Sequence, residues 1–202
     1  LYLLGLAIGQ ANGTISATDL ESFIDELNET PDRIATVIDQ GDRIATLAKW
    51  MADTRAVLLL GRNVGFPVAL EGALKLKELA YIHAEGFAAG ELKHGPIALI
   101  EPGQVVFVIV PSPRDPQSLH AKVVSNIQEI RARGARVIAI AEQGDAAVLP
   151  YADEVIPIPL AHPLIEPMLA VVPLHIFAME LAAAKGLDVD QPRNLAKSVT
   201  VE

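Results

Sequence analysis

No cysteine occurs among the 202 residues, which excludes a disulfide framework, a thiolate metal site and a cysteine nucleophile. Nothing speaks for an oxidising compartment, so the cytoplasm is the expected location. Basic residues are also few: 16 lysines and arginines stand against 25 acidic side chains, a net charge of -9. Such a chain repels phosphate backbones and anionic lipid surfaces, so neither nucleic acid nor a membrane is an expected partner. The apolar opening, Leu1 to Ile8, lacks a basic flank and the length to span a bilayer; it has the pattern of a helix cut from something larger. The other long apolar stretch, Leu164 to Ala184, carries Glu166, Pro167, Pro173, His175 and Glu180, which a lipid-facing helix would hardly tolerate. It is expected to be a buried core helix. There is no internal repeat, low-complexity tract or run of like charge. No histidine has metal-ligand spacing. The glycines of Gly61-Arg62-Asn63-Val64-Gly65 are wrongly spaced for a dinucleotide fingerprint. No metal and no cofactor are expected.

Apolar residues make up 51 % of the chain and charged residues 20 %, a balance that folds. Branched, apolar runs at Ala56-Val57-Leu58-Leu59-Leu60, Val105 to Val110, Ala135 to Ala141 and Glu154 to Leu160 have the character of buried parallel strands. Helical stretches lie between or after them, at Phe66 to Ile82, about Gly90 to Ile100, Gln117 to Arg133 and Leu164 to Lys185. Alternation of this kind predicts a parallel sheet with helices on both faces. Before it, Asp19 to Trp50 is amphipathic helix twice over, with Thr30-Pro31 expected to start the second segment.

Three local patterns bear on chemistry. On a helical wheel Glu71, Lys75 and Glu78 fall in one narrow sector, flanked by Leu70, Leu74 and Tyr81 on one side and Leu79 on the other. They form either a reactive slot between apolar walls, in which an ammonium tunes a carboxylate base, or a salt-bridged solvent face. Next, Gly86 and Gly90 bracket a turn at Phe87-Ala88-Ala89, after which Glu91, Lys93 and His94 cluster before Gly95-Pro96. His94 is there either a proton-transfer group held in place by the Gly-Pro stop or a surface histidine at a helix end; His83, His120, His162 and His175 have no comparable neighbourhood. Finally, Lys197 lies near the end of an apolar tail too short to fold alone. Its amine is either solvated or held in a dry pocket from which it attacks a carbonyl.

Taken together, Leu70-Glu71-Gly72-Ala73-Leu74-Lys75-Leu76-Lys77-Glu78, Gly90-Glu91-Leu92-Lys93-His94-Gly95-Pro96 and the closing run from Asp190 to Glu202 resemble the C-terminal part of the glucosamine-6-phosphate synthase family, the glutamine:fructose-6-phosphate aminotransferases. In that family a glutaminase domain feeds ammonia to an isomerase built from two sugar isomerase (SIS) domains. The resemblance implies a three-layer α/β/α sandwich of flavodoxin-like type: residues 1–52 as a helical segment ending a preceding SIS domain, 53–187 as the second SIS domain, and 188–202 as a C-terminal tail. Glu78 is implied as the base that moves a proton between C1 and C2 of the sugar, with Lys75 and Glu71 supporting it. His94 is implied to assist ring opening from the neighbouring subunit of a homodimer, and Lys197, beside the substrate-binding Ala196, to form an imine with the open-chain ketone. The implied ligands are fructose 6-phosphate and glucosamine 6-phosphate. The family's serine- and threonine-rich phosphate loops do not occur in this chain, which implies dependence on the first SIS and glutaminase domains. A rival reading is a non-catalytic SIS module that senses sugar phosphates; a further one, a related sugar-phosphate isomerase or deglycase, fits the closing run poorly.

Overall fold

The computed structural model describes residues 1–115 and 117–195. Three helices come first: α1 (Tyr2–Ala11), α2 (Ala17–Ile38) and α3 (Gly41–Trp50). Then β1 (Ala56–Gly61), α4 (Gly65–Ala80), β2 (His83–Ala88), β3 (Val105–Ile109), α5 (His120–Arg131), β4 (Arg136–Glu142), β5 (Glu154–Ile158) and α6 (Glu166–Ala184) follow. Among the described residues the five strands form one sheet in the order β2-β1-β3-β4-β5, with every neighbouring pair parallel. Leu59 lies opposite Phe107, and Phe107 opposite Ile138.

Alternation along buried strands sends successive side chains to opposite faces. Val57, Leu59, Phe107, Ile109, Ile138, Ile140 and Ile156 meet α2, α3, α4 and α6 on one side. Leu58, Leu60, Val106, Val108, Val137 and Ala139 meet α5 and the segment after β2 on the other. The expected α/β/α sandwich is therefore the observed one. α6 is long and apolar enough to cross a membrane by length and composition, yet Leu169, Leu174, Phe177 and Leu181 are buried against α2, α3 and α4. Phe177 meets Phe107 of β3 with ring centroids 4.8 Å apart, so α6 is the core helix the sequence predicts.

Three expectations need correction. Thr30-Pro31 does not start a helix: Pro31 lies inside α2, which begins behind the Ser16 cap and runs to Ile38. A proline there removes one N–H of the ladder; Arg33 pairs with Glu26 and Glu29 across the weakened turn, and buried Phe23 and Val37 hold both halves to the core. Of the turn expected at Phe87-Ala88-Ala89, Phe87 and Ala88 end strand β2 and Ala89 opens a 3-10 turn. This edge strand, His-Ala-Glu-Gly-Phe-Ala, is only partly buried and so has no apolar run. Finally, Gly90 to Ile100 is not one helix but two short 3-10 turns, Ala89–His94 and Pro96–Leu99, divided at Gly95, whose φ of 142° only glycine adopts readily.

Close approach fixes α4. A Cβ on Gly61 would stand 2.1 Å from the backbone oxygen of Gly65, and one on Gly72 would meet the side-chain tips of Leu174 and Leu59 at 2.7 and 2.8 Å. Flexible tips yield and backbone does not. We expect Gly72→Ala to cost about 1–3 kcal/mol in urea denaturation, in the range of core overpacking, and Gly61→Ala to cost more. The reverse order would place the tight contact elsewhere.

Candidate active site: the charged row on α4

Val68, Ala69, Gly72, Ala73, Leu76 and Ala80 are the buried side of α4. That roll sets Glu71, Lys75 and Glu78 outward. Lys75 Nζ donates to Glu78 Oε2 at 2.7 Å and stands 3.7 Å from Glu71 Oε1. The hydrogen bond to Glu78 pushes the Lys75 ammonium above its ordinary pKa, with the charges of Glu78 and Glu71 adding to it and partial burial opposing it. All three side chains remain about one-third exposed. Leu70 and Leu74 project into solvent, so the slot between apolar walls is open on that side rather than closed by this chain. A shallow groove of about 400 Å³, lined by Tyr2, Val64, Pro67, Met168 and Val171, runs up to Glu71.

One member of the row was not foreseen from sequence. His175 of α6 places Nε2 3.1 Å from Glu71 Oε1, completing the series His175, Glu71, Lys75, Glu78. Local spacing could not reveal it, since the contact joins residues 104 apart. Past Glu78, Tyr81 closes α4 in the left-handed region at φ 53°. Its hydroxyl accepts the Arg193 backbone N–H at 2.7 Å, and the Arg193 guanidinium lies 4.2 Å from the ring centroid. The segment leading to the tail is thus docked beside the row. Ala196 and Lys197 lie outside the described residues.

His94 is not brought to this row within the chain. Glu78 precedes β2 and His94 follows it, at the end of the first 3-10 turn and exposed, so roughly 20 Å of strand separates the two ends. Neighbouring Lys93 pairs with Glu129 at 2.9 Å.

A second polar cluster, also unforeseen, occupies the C-terminal ends of β3 and β4. Glu142 binds Arg114 through both carboxylate oxygens, at 2.8 and 2.9 Å, and accepts from Ser112 Oγ at 2.6 Å. Burial pushes the Glu142 pKa up, and the Arg114 and Ser112 hydrogen bonds outweigh it, leaving the value below the ordinary one. His120, which has no neighbourhood in the sequence comparable to that of His94, stands 2.7 Å from buried Asp145. Glu166, in the first turn of α6, accepts the Ser112 N–H at 3.2 Å, but burial pushes its pKa up to about 7. Beside this cluster lies an open cleft of about 450 Å³ with Arg33, Glu26 and His162 on its wall; Arg33 pairs with Glu26 and Arg114 with Glu142, and Asp115 adds a further carboxylate to the wall. Among the described residues no group of three or more histidine, cysteine or acidic side chains could hold a metal ion.

Residues 51–185 match the SIS domain family. The chain belongs to it. Over its whole length this SIS domain chain is 74 % identical to an isomerizing glutamine–fructose-6-phosphate aminotransferase of Leifsonia xyli, of which it covers 33 %. It is 66 % identical to the enzyme of the same name from Corynebacterium diphtheriae, covering 32 %. It thus spans about a third of the length of these curated relatives. Among solved structures, the C-terminal domain of glucosamine-fructose-6-phosphate aminotransferase from Francisella tularensis matches 94 % of this chain and 52 % of its own, at 31 % identity and a TM-score of 0.86. Tagatose-6-phosphate ketose/aldose isomerase from Escherichia coli shares the fold, matching 85 % of this chain and 46 % of its own at 24 % identity and a TM-score of 0.68.

The raised pKa of Glu166 has a measurable consequence. Its folded value near 7 exceeds the ordinary 4.5, so the fold favours the protonated carboxyl. That stabilisation is complete below about pH 4.5 and is lost as the pH rises through 7. Glu166→Gln should match the wild type near pH 4.5 and exceed it at pH 8 by on the order of 1–3 kcal/mol in urea titrations. Parallel pH profiles for the two proteins would contradict it.

Proposed function

We propose that this chain is the isomerase part of an amidotransferase that converts fructose 6-phosphate and glutamine-derived ammonia into glucosamine 6-phosphate. The observation that carries this reading is the Lys75–Glu78 contact at the end of α4 with the Arg193 segment docked beside it, in a chain most of whose length is an SIS domain. The names of the relatives, aminotransferases that isomerise, agree with it.

The chemistry divides among groups of different protonation state. The Lys197 amine attacks C2 of the open-chain ketose and expels water as an imine forms; ammonia then takes the place of the lysine nitrogen on C2. Glu78 removes a proton from C1 and returns one to C2, so that a C2 imine and a C1 hydroxyl become a C2 amine and a C1 aldehyde. Atoms balance without a redox partner. Lys75, kept cationic by its hydrogen bond to Glu78, holds the carboxylate in place between the two transfers. Glu71 anchors Lys75 from the other side. His94, far from Glu78 within one chain, acts on the ring oxygen of a sugar held by a second copy, which makes the working unit a homodimer. The phosphate is held by the part of the relatives that precedes this region, so the 202 residues alone do not turn over, and the cytoplasm is where such a biosynthetic enzyme works.

In the full-length polypeptide, Glu78→Gln should abolish the isomerisation of fructose 6-phosphate while leaving glutamine hydrolysis measurable. Normal isomerisation by that variant would remove Glu78 as the base. Solvent deuterium separates the proposal from a sensing module: the enzyme incorporates label at C1 or C2 of the bound sugar, whereas a module that only binds leaves the sugar unlabelled.

A further inference from the structure

Beyond Ala184 the chain does not simply trail away. Leu187 and Val189 pack on the core cluster beneath α6, and Asp188 Oδ1 accepts the N–H groups of Asp190 at 2.9 Å and Gln191 at 3.1 Å, bending the chain. It then returns to the far end of α4, where two contacts of different kind meet on one side chain. The Tyr81 hydroxyl accepts the Arg193 N–H, and the Tyr81 ring carries the Arg193 guanidinium on its face. Directly after it, Asn194 takes a left-handed φ of 60°, so the chain changes direction at the point where it is held. Tyr81 itself is left-handed at φ 53°, an uncommon state for an aromatic residue. That backbone turn is what ends α4.

We propose that Tyr81 is a positioning residue: it clamps Arg193 to the end of α4 and so fixes the origin from which the Lys197 segment departs, beside Glu78. The proposal rests on the assignment of Lys197 above. Geometry sets its force. Tyr81 is three residues from Glu78, about 4.5 Å along the helix axis, and Lys197 follows Arg193 by four residues in the sequence. Loss of the clamp frees the chain at Arg193 and lowers the effective concentration of the Lys197 amine at the sugar carbonyl. Because the clamp touches neither sugar nor reacting atoms, it acts on the chemical step through Lys197 and leaves the hold on the phosphate alone.

The test uses the full-length polypeptide with fructose 6-phosphate and ammonia. Two readouts are taken: kcat and KM for isomerisation, and the yield of lysine–sugar adduct at Lys197 trapped by borohydride and counted by mass spectrometry. Tyr81→Phe, which removes only the hydroxyl acceptor, should lower kcat and trapping about fivefold, the scale of one hydrogen bond. Arg193→Ala, which keeps its own N–H but loses the cation over the ring, should lower both about threefold, with partial recovery in Arg193→Lys. Tyr81→Ala should exceed either, and KM should move less than twofold in all of them. Wild-type kcat and trapping in Tyr81→Phe and Arg193→Ala together would overturn the clamp, and those two variants decide the matter if Tyr81→Ala does not fold. Lys197→Ala is the reference: if it isomerises normally, the underlying assignment of Lys197 fails. If it is inactive while the clamp variants are normal, the clamp alone fails.

Discussion

The approach of α4 to the sheet, closer than any side chain at Gly61 or Gly72 would allow, is the constraint on which the rest of the structure depends. It fixes the roll of the helix as well as its distance. Near 100° per residue, a helix that buries Ala69, Ala73, Leu76 and Ala80 must turn positions 71, 75 and 78 outward. Gly86 on β2 extends the same contact, since a Cβ there would come within 3.0 Å of the backbone of Ala69 and Leu70. A change of roll by one position would carry Lys75 toward the core, where an unpaired ammonium is far too costly to bury. The apolar face and the charged row are two consequences of one packing decision.

The row contributes little to stability. Its members are about one-third exposed, and pairs of that kind contribute about 0–1 kcal/mol. What it provides is a fixed alternation of charge, with the Lys75 ammonium between two carboxylates and His175 at one end. Glu142 is the contrast within the same molecule. Its side chain is 8 % exposed and its oxygens are held by Arg114 and Ser112; removing one partner from such a site leaves a buried charge behind, at a cost of about 3–5 kcal/mol. Glu142 is a costly charge held by full pairing, and the row on α4 is a cheap one that another molecule can reach.

Legibility in the sequence followed burial. The runs at Val57–Leu60, Val105–Ile109 and Val137–Ala141 are apolar at every position because the strands are covered on both faces, and they could be read directly. β2 could not: an edge strand half open to solvent has no continuous apolar run, and the glycine that invites a turn assignment, Gly86, is there to admit α4. Pro31 misled for a related reason, as tertiary packing of Phe23 and Val37 on α6 overrides a local helix breaker. The Glu71, Lys75 and Glu78 sector was legible from periodicity alone. His175, Tyr81 with Arg193, and the Ser112–Glu142–Glu166 cluster were not, since each depends on contacts between distant parts of the chain.

An open parallel sheet ordinarily offers its ligand crevice at the C-terminal ends of its strands. Here the ends of β3 and β4 hold Arg114, Glu142, Ser112 and Glu166 bound to one another, while the charged row runs from the middle of α4 to its C-terminal end. Among the described residues proposed to act on the sugar, His94 lies on the crevice side of β2. The separation has a physical use in the proposed site. An imidazole in contact with Glu78 would be drawn into an ion pair, raising its own pKa and competing with Lys75 for the carboxylate. Held a strand's length apart, the two groups do not pair with each other within one chain. In the proposed reaction, ring opening and C–H deprotonation then fall to groups that do not meet in the lone chain.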